Sequence, residues 1–444
     1  MAEFFENWRN FITWGSGTQT VYETIGATIT TVISFIFAIF YLYQFFYLLV
    51  SLLFRPRKYP ETDKSKRYGV VIAARNEELV LPELLKSIAA QTYPQEKIRV
   101  FVVADNCTDK TADAARALGA TVFERFNKER VGKGYALEYL FDRVKETEGG
   151  FDALDAYIIL DADNVLRPNY IEEMDKAYCA GNKVLTSYRN SKNYGSSWVS
   201  AGYALWFMHE SRHLNNARSI LRTSAAVSGT GFLVDHATIE RNGGWRHFLL
   251  TEDIEFTADC ILHGERIGYC HHAELFDEQP VTFRQSWRQR TRWAKGYFQV
   301  FQNYGGHLLK GSFKFYWACY DMTMNIMPAF FLSTMQILSS LVLFILNLIF
   351  AHTISFSLFK AFLDFFLFGY AVLFVFGLFA LITEWRKIHC NKWKAILYLF
   401  AFPVFMISYL PISLAALCSR VEWKPIEHKY AMNTDDIDKG DTVK

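Results

Sequence analysis

Four stretches of this chain are too long and too free of charge to be ordinary core elements. Thr24–Phe54 runs 31 residues without Asp, Glu, Lys or Arg, Met322–Phe350 runs 29 and Ala395–Ser419 runs 25. Ala361–Thr383 adds 23, interrupted only by Asp364. A helix crosses a hydrocarbon layer of about 30 Å with about 20 apolar residues, whereas a buried core helix uses about 10–14. The expectation is an integral membrane protein with four spans. The first stretch begins too late, lacks a basic leader and is too long for a cleaved signal peptide. It is also too long for one upright helix and too short for two, so one apolar segment is open to a re-entrant or interfacial placement. Asp364 reads either as an intramembrane acid facing protein or water, or as a residue near a helix end.

Between the first two spans lies a polar block large enough for a domain of its own. Its start carries Arg55, Arg57, Lys58, Lys64, Lys66 and Arg67 against Glu61 and Asp63, and the last inter-span loop carries Arg386, Lys387, Lys392 and Lys394. The positive-inside rule places both in the cytoplasm and the block with them. The expected organisation is an interfacial amphipathic helix over 1–20, a first transmembrane segment over 21–57 and a cytoplasmic domain over 58–285. An interface region over 286–320, about three further transmembrane helices over 321–419 and a polar tail over 420–444 complete it. A net charge of +2 gives no electrostatic footprint for nucleic acid, which is excluded as a partner. Seven scattered cysteines without a CxxC pair argue against a zinc finger, a redox dithiol or a disulfide framework.

Inside the block, Tyr68–Ala73, Val100–Ala104 and Ala156–Leu160 are short β-branched runs, with helical patterns over Glu77–Gln91, Thr108–Leu118 and Lys133–Thr147 between them. Such alternation predicts an α/β domain, a mostly parallel sheet with helices on both faces, joined to an α-helical transmembrane region. Ligands of these sheets bind outside the carboxyl ends of the strands. Each of the three strands ends in acid: Ala74-Arg75-Asn76-Glu77, Asp105-Asn106-Cys107-Thr108-Asp109, and Asp161-Ala162-Asp163. Clustered carboxylates repel unless a cation sits among them, and Asp-x-Asp at a strand end suits a hard divalent ion shared with substrate phosphates. Asp109 reads as a helix cap.

Further along stand Thr251-Glu252-Asp253 and Gln289-Arg290-Thr291-Arg292-Trp293. With these the chain resembles the membrane-integrated, inverting family 2 glycosyltransferases, the group of cellulose, hyaluronan, chitin and poly-N-acetylglucosamine synthases. An early Asp, then DxD, TED and QxxRW, then transmembrane helices, occur in that order over 68–419. The resemblance implies a GT-A-type, Rossmann-like fold and a UDP-sugar donor. It assigns Arg75, Glu77, Asp105, Lys133, Asp161 and Asp163 to donor binding, with Mg²⁺ or Mn²⁺ held by Asp163 and Asp161. It assigns Asp253 to the catalytic base, and Ser228, Gly229, Glu252, Gln289, Arg292 and Trp293 to acceptor binding and gating.

The chemistry suits these residue types. The metal neutralises the leaving diphosphate, and a carboxylate on the opposite face of the sugar takes the acceptor proton in one inverting displacement. Burial raises a carboxyl pKa, which suits a base near neutral pH. Alternative structural roles stand beside these: Asp253 as the N-cap of a helix over 254–263, Lys133 as a surface lysine, Trp293 and Arg292 as interface anchors, and the Ser228–Phe232 glycines as a strand kink. His209-Glu210-Ser211-Arg212-His213 matches the zinc-protease pattern HExxH and reads as coincidence; Cys270-His271-His272 reads as structural. The leading reading is a bacterial plasma-membrane polysaccharide synthase, processive and coupled to export, using UDP-glucose or UDP-N-acetylglucosamine. A single-transfer lipid glycosyltransferase resembling glucosylceramide synthase is the second, and a non-catalytic sugar-nucleotide-binding membrane protein the third. Its partners are then the donor, a glycan or lipid acceptor, and membrane lipids.

Overall fold

The computed structural model describes residues 21–350, 356–419, 421, 428 and 430–439. The amphipathic helix expected over 1–20 and part of the tail lie outside these residues. The polar block folds around one eight-stranded sheet: β1 Tyr68–Ala74, β2 Ile98–Asp105, β3 Thr121–Arg125, β4 Ala156–Asp161, β5 Val165–Leu166, β6 Val184–Ser191, β7 Phe232–Asp235 and β8 Ile267–Asp277. Their order is β3-β2-β1-β4-β7-β6-β8-β5. The first four of that order pair in parallel, while β7 runs antiparallel to both β4 and β6. The sheet is therefore mixed, a Rossmann-like half extended by a second half in which β6 and β8 pair in parallel.

The three expected strands form because their apolar runs are buried on both faces, as central parallel strands must be. Alternate residues serve opposite cores. Val70, Ile72, Val102, Ile158 and Leu160 pack with the helices Leu81–Ala89 and Tyr170–Cys179, while Val71, Phe101, Val103 and Ile159 pack with Lys133–Glu148. The helix expected from Glu77 starts only at Leu81. Asn76 takes a left-handed backbone (φ 57°) that ends the strand in a turn, and Pro82 sits in the first helical turn, where its missing N–H costs nothing. Asp109 accepts from the Thr111 amide at the start of the helix Thr111–Ala117, a capping role.

Among the described residues, four helices are long and apolar enough to cross a membrane: Glu23–Leu53, Ala329–Phe350, Phe362–Thr383 and Lys392–Cys418. The first is fastened to the polar domain by a buried network. Arg218 donates twice to Asp321 at 2.7 Å, and Tyr47 at the end of the first helix donates to the same carboxylate at 2.9 Å. Asp364 is exposed and is the ninth residue of the helix Phe356–Thr383, so it lies within the helix and not at its end.

The basic loop after the third span packs on the sheet: Tyr188 donates to Glu384 (2.8 Å), and the Lys387 ammonium lies 3.2 Å from the Tyr188 ring centroid. The fourth apolar stretch bends at Ser408, between the helices Lys392–Ile407 and Tyr409–Cys418. Arg290 of the polar domain, fully buried, donates to the Phe405 carbonyl (2.7 Å) and to Ser408 Oγ (2.9 Å) at that bend. Beyond it, tail residues return to the same domain, Asp438 pairing with Arg167 at 2.7 Å. The first half of that fourth stretch packs with Ala380 and Leu381 of the third candidate span and with Ala201, Ala204, Leu205 and Met208 of the polar domain.

Candidate active site

The carboxyl ends of β1, β2 and β4 open into one cleft of about 240 Å³. It is lined by every residue singled out above: Arg75, Glu77, Asp105, Lys133, Asp161, Asp163, Ser228, Gly229, Glu252, Asp253, Gln289, Arg292 and Trp293. Positions 75 and 293 are 218 residues apart in sequence, and only the fold joins them.

At the donor end, Asp105 receives the Arg125 guanidinium at 2.5 Å and the Asn106 amide at 3.1 Å. Lys133 begins the helix Lys133–Glu148 and donates to Asp161 and, at 2.7 Å, to the Gly229 carbonyl. Its position depends on Gly134, where a Cβ would stand 2.1 Å from the His247 carbonyl oxygen. Burial alone would depress the Lys133 ammonium, yet Asp161, Glu252 and Asp253 hold it above its usual value. Asp163 is buried and accepts from the Glu278 amide (3.0 Å); burial opposes its ionisation, but His428 and Lys192 outweigh that and keep its pKa low.

Asp161 and Asp163 present hard oxygen donors beside a solvent-reaching cleft, the donor type Mg²⁺ and Mn²⁺ take together with substrate phosphates. Among the described residues no three His, Cys, Asp or Glu side chains converge tightly enough to hold a metal unaided. Such a site fits an ion that arrives with a diphosphate.

At the other end, Glu252 and Asp253 open the helix Glu252–Leu262, whose N-cap is Thr251. Asp253 is thus not the N-cap, and its carboxylate is free to face the cleft: a Cβ on Gly229 would stand 3.7 Å from Asp253 Oδ2. Burial raises both carboxyls, Glu252 to about 7. Ser228–Gly231 is a bend leading into β7, not a strand, with φ of 83° at Gly229 and 67° at Gly231. Only glycine takes these angles without strain, and a Cβ on Gly231 would meet Leu275 at 2.0 Å.

Gln289, Arg292 and Trp293 project from one helix, Phe283–Phe313. That helix touches the TED segment through Gly296, where a Cβ would come within 2.8 Å of the Thr251 amide nitrogen. The Trp293 ring packs edge-on against Tyr203 at 5.7 Å. Gln289 lines the cleft, and its Oε1 is buried with no hydrogen-bond partner among the described residues.

Several lining groups were not among the expected site residues. Arg189, at the end of β6, donates to Asp277 Oδ2 and to the Ser228 carbonyl, each at 2.6 Å, and so braces the glycine bend. Counting β6 among the strands would have located it by the strand-end rule. Glu210 accepts from Ser228 Oγ at 2.8 Å, and burial raises its pKa. His428 lies 3.0 Å from both Glu77 oxygens and 3.9 Å from Asp163. Burial alone would lower its pKa, but Asp163 and Glu77 raise it to about 10, so it stands as a cation at the donor end.

Of the HExxH residues, His209 ends the α-helix Trp198–His209 and the rest fall on a π-helical turn, Glu210–Asn215. There His213 Nδ1 pairs with Ser51 Oγ (2.7 Å) while Glu210 turns to the cleft. His271, in Cys270-His271-His272, packs edge-on against Tyr188 at 5.2 Å, a structural contact.

A Rossmann-like sheet carrying a cleft of carboxylates and cations, backed by apolar helices, defines the GT-A class. Residues 66–296 match the model of the glycosyltransferase-like family 2, and the chain belongs to that family. It is 26% identical over 294 residues to a beta-monoglucosyldiacylglycerol synthase of Nostoc, covering 64% of this chain and 60% of that one. It is 24% identical over 269 residues to the poly-beta-1,6-N-acetyl-D-glucosamine synthase of Staphylococcus aureus, covering 58% and 61%. The chain thus spans about three fifths of the length of these relatives. A mannosyltransferase from Pyrobaculum calidifontis, solved with GDP-Man and Mn2+, shares the fold at a TM-score of 0.55. That alignment is 16% identical and covers 89% of this chain and 99% of that one.

Proposed function

We propose that this chain transfers a sugar from a UDP-sugar to an acceptor hydroxyl at the membrane boundary, with inversion at the anomeric carbon. The observation that carries this is the shared cleft: Asp163 at one end, Asp253 at the other, and Lys133 between them in contact with Asp161. Asp105 and Glu77 hold the nucleoside end, and Lys133 neutralises diphosphate oxygens. A divalent cation bound by Asp163 and Asp161 would stabilise the charge developing on the leaving diphosphate. The Asp253 carboxylate accepts the acceptor proton. The acceptor oxygen then bonds to the anomeric carbon as the bond to diphosphate breaks, and the nucleoside diphosphate leaves with its electron pair.

The acceptor end of the cleft reaches Asn325 and Tyr409, at the start of the apolar helices. A lipid acceptor is the reading these helices favour. The Asp364 carboxylate is exposed, and the buried Gln336 amide spends its hydrogens on Thr30 (2.8 Å) and Ser340 (3.1 Å). The Gln336–Thr30 bond joins two of these helices to one another. The matched glucosyldiacylglycerol synthase supports the same reading. Processive synthesis with export is the second reading, favoured by Trp206, Phe207, Trp293 and Tyr297 at the acceptor end, whose ring faces suit successive sugars. The basic loop on the sheet side supports a cytoplasmic domain in a bacterial plasma membrane.

Product size tests the two readings. Purified protein supplied with Mn²⁺, labelled UDP-sugars and diacylglycerol yields one lipid-soluble product if transfer is single and a high-molecular-weight smear if it is processive. Neither product from any donor would overturn the proposal.

A further inference from the structure

A second cavity, sharing no residue with the catalytic cleft, lies where the first apolar helix leaves the polar domain. It encloses about 1060 Å³ between Phe46 and Tyr47 at the end of that helix, the turn Leu221–Ser224, the turn His263–Arg266 and the helix hairpin around Lys314. Three cations on its wall, Arg222, Lys310 and Lys314, are exposed and make no side-chain hydrogen bond or ion pair among the described residues. Arg266 and His307 stand beside them. The one acid on the wall, Glu265, is already paired with Arg241 at 2.6 Å. The cavity therefore carries a positive charge that the protein does not neutralise.

Flanking Lys314 in the chain is an apolar, outward-facing stretch. Phe313 is 82% exposed and Phe315 95%, the latter held out by a left-handed turn (φ 62°) between the helices Phe283–Phe313 and Trp317–Ile326. Tyr316 and Trp317 continue it. The candidate span Ala329–Phe350 begins just beyond, and Glu23–Leu53 contributes Phe46 and Tyr47 to the wall. An aromatic belt at that level marks the boundary between headgroups and acyl chains. The wall is also rigid: Trp317 Nε1 donates to Tyr47 at 2.6 Å, Tyr47 is held by Asp321, and a Cβ on Gly311 would strike Cys319 Sγ at 2.5 Å.

We infer that this cavity binds the phosphate headgroup of an anionic phospholipid of the surrounding leaflet, with the acyl chains against Phe313, Phe315 and Trp317. Arg222, Lys310 and Lys314 supply charge-assisted donors to phosphate oxygens. The exposed rings supply the apolar contact that a soluble phosphate ester would not need. The inference is independent of the glycosyl-transfer reading, since its site and its readout are separate.

The test is native mass spectrometry of the full-length protein in detergent, mixed with equal amounts of phosphatidylglycerol and phosphatidylcholine. One phosphatidylglycerol should be retained in preference to phosphatidylcholine. Each cation near a membrane surface contributes about 1 kcal/mol, roughly a fivefold effect, so R222Q/K310Q/K314Q should bring retention close to parity. The charge-matched control K97Q/K110Q/K183Q, on the polar domain, should keep the preference and shows that net charge is not its cause. Millimolar inorganic phosphate should leave the lipid in place. Equal retention by the wild type, an undiminished preference in the triple variant, or displacement by inorganic phosphate would each overturn the inference.

Discussion

Asp321→Ala breaks the network that fastens the first membrane helix to the polar domain, and its cost follows from the structure. The Arg218 and Asp321 side chains are 4% and 3% exposed, so little water can replace the lost carboxylate. The substitution removes two hydrogen bonds to the guanidinium and one from Tyr47, and leaves a buried charge uncompensated. Breaking a buried pair from one side costs about 3–5 kcal/mol. For a cooperative unit of 150–250 residues, each kcal/mol lowers Tm by about 2–4 °C, so the drop should be on the order of 10 °C. Size-exclusion chromatography of heated, detergent-purified protein reads this directly. Arg218→Met with Asp321→Leu should recover most of the loss, because volume is kept and no charge is stranded. Arg116→Gln, at an exposed pair with Glu124, should change Tm by no more than about 2 °C. A drop below about 3 °C for Asp321→Ala, or a double variant as unstable as the single, would refute the reasoning.

Other consequences concern the cleft. Glu252 in the folded protein binds its proton up to about pH 7, against 4.5 ordinarily, so it contributes stability below pH 4.5 that is lost as pH rises to about 7. Glu252→Gln should therefore raise Tm at pH 8 and leave it unchanged at pH 4; an equal offset at both would contradict this. Gly134→Ala places a methyl against the His247 carbonyl, at a cost of about 1–3 kcal/mol, and should raise KM for the donor more than it lowers kcat as Lys133 shifts. Asp163→Asn should abolish the Mn²⁺ dependence of UDP binding measured by calorimetry, and a retained dependence would remove Asp163 from the proposed metal site.

Much of this architecture was legible because the informative signals were local. The runs at 68–73, 100–104 and 156–160 are apolar on both faces, which few elements other than central parallel strands are, and their acidic ends then had to meet. The charge-free stretches announced their helices by length. What stayed hidden depended on distant partners. Val184–Ser191 is half polar because Tyr188, Arg189 and Asn190 contact Glu384, Asp277 and Glu274, so it did not read as a buried strand. The glycines of Ser228–Phe232 were open to reading as a strand kink, but two positive φ angles make Ser228–Gly231 a bend before β7. His428 meets Glu77 across 351 residues, and no local pattern reports such a contact. Arg290 likewise meets the Phe405 carbonyl of the fourth apolar stretch across 115 residues.

The most direct measurement is UDP release by the purified protein at pH 8 with Mn²⁺ and a panel of UDP-sugars, comparing wild type with Asp253→Asn. A positioned general base contributes roughly 10²–10⁴-fold, and the substitution leaves size and fold nearly unchanged. The account predicts release from at least one donor in the presence of acceptor, reduced by that factor in the variant, with UDP binding retained. Wild-type and Asp253→Asn protein releasing UDP at the same rate would contradict it.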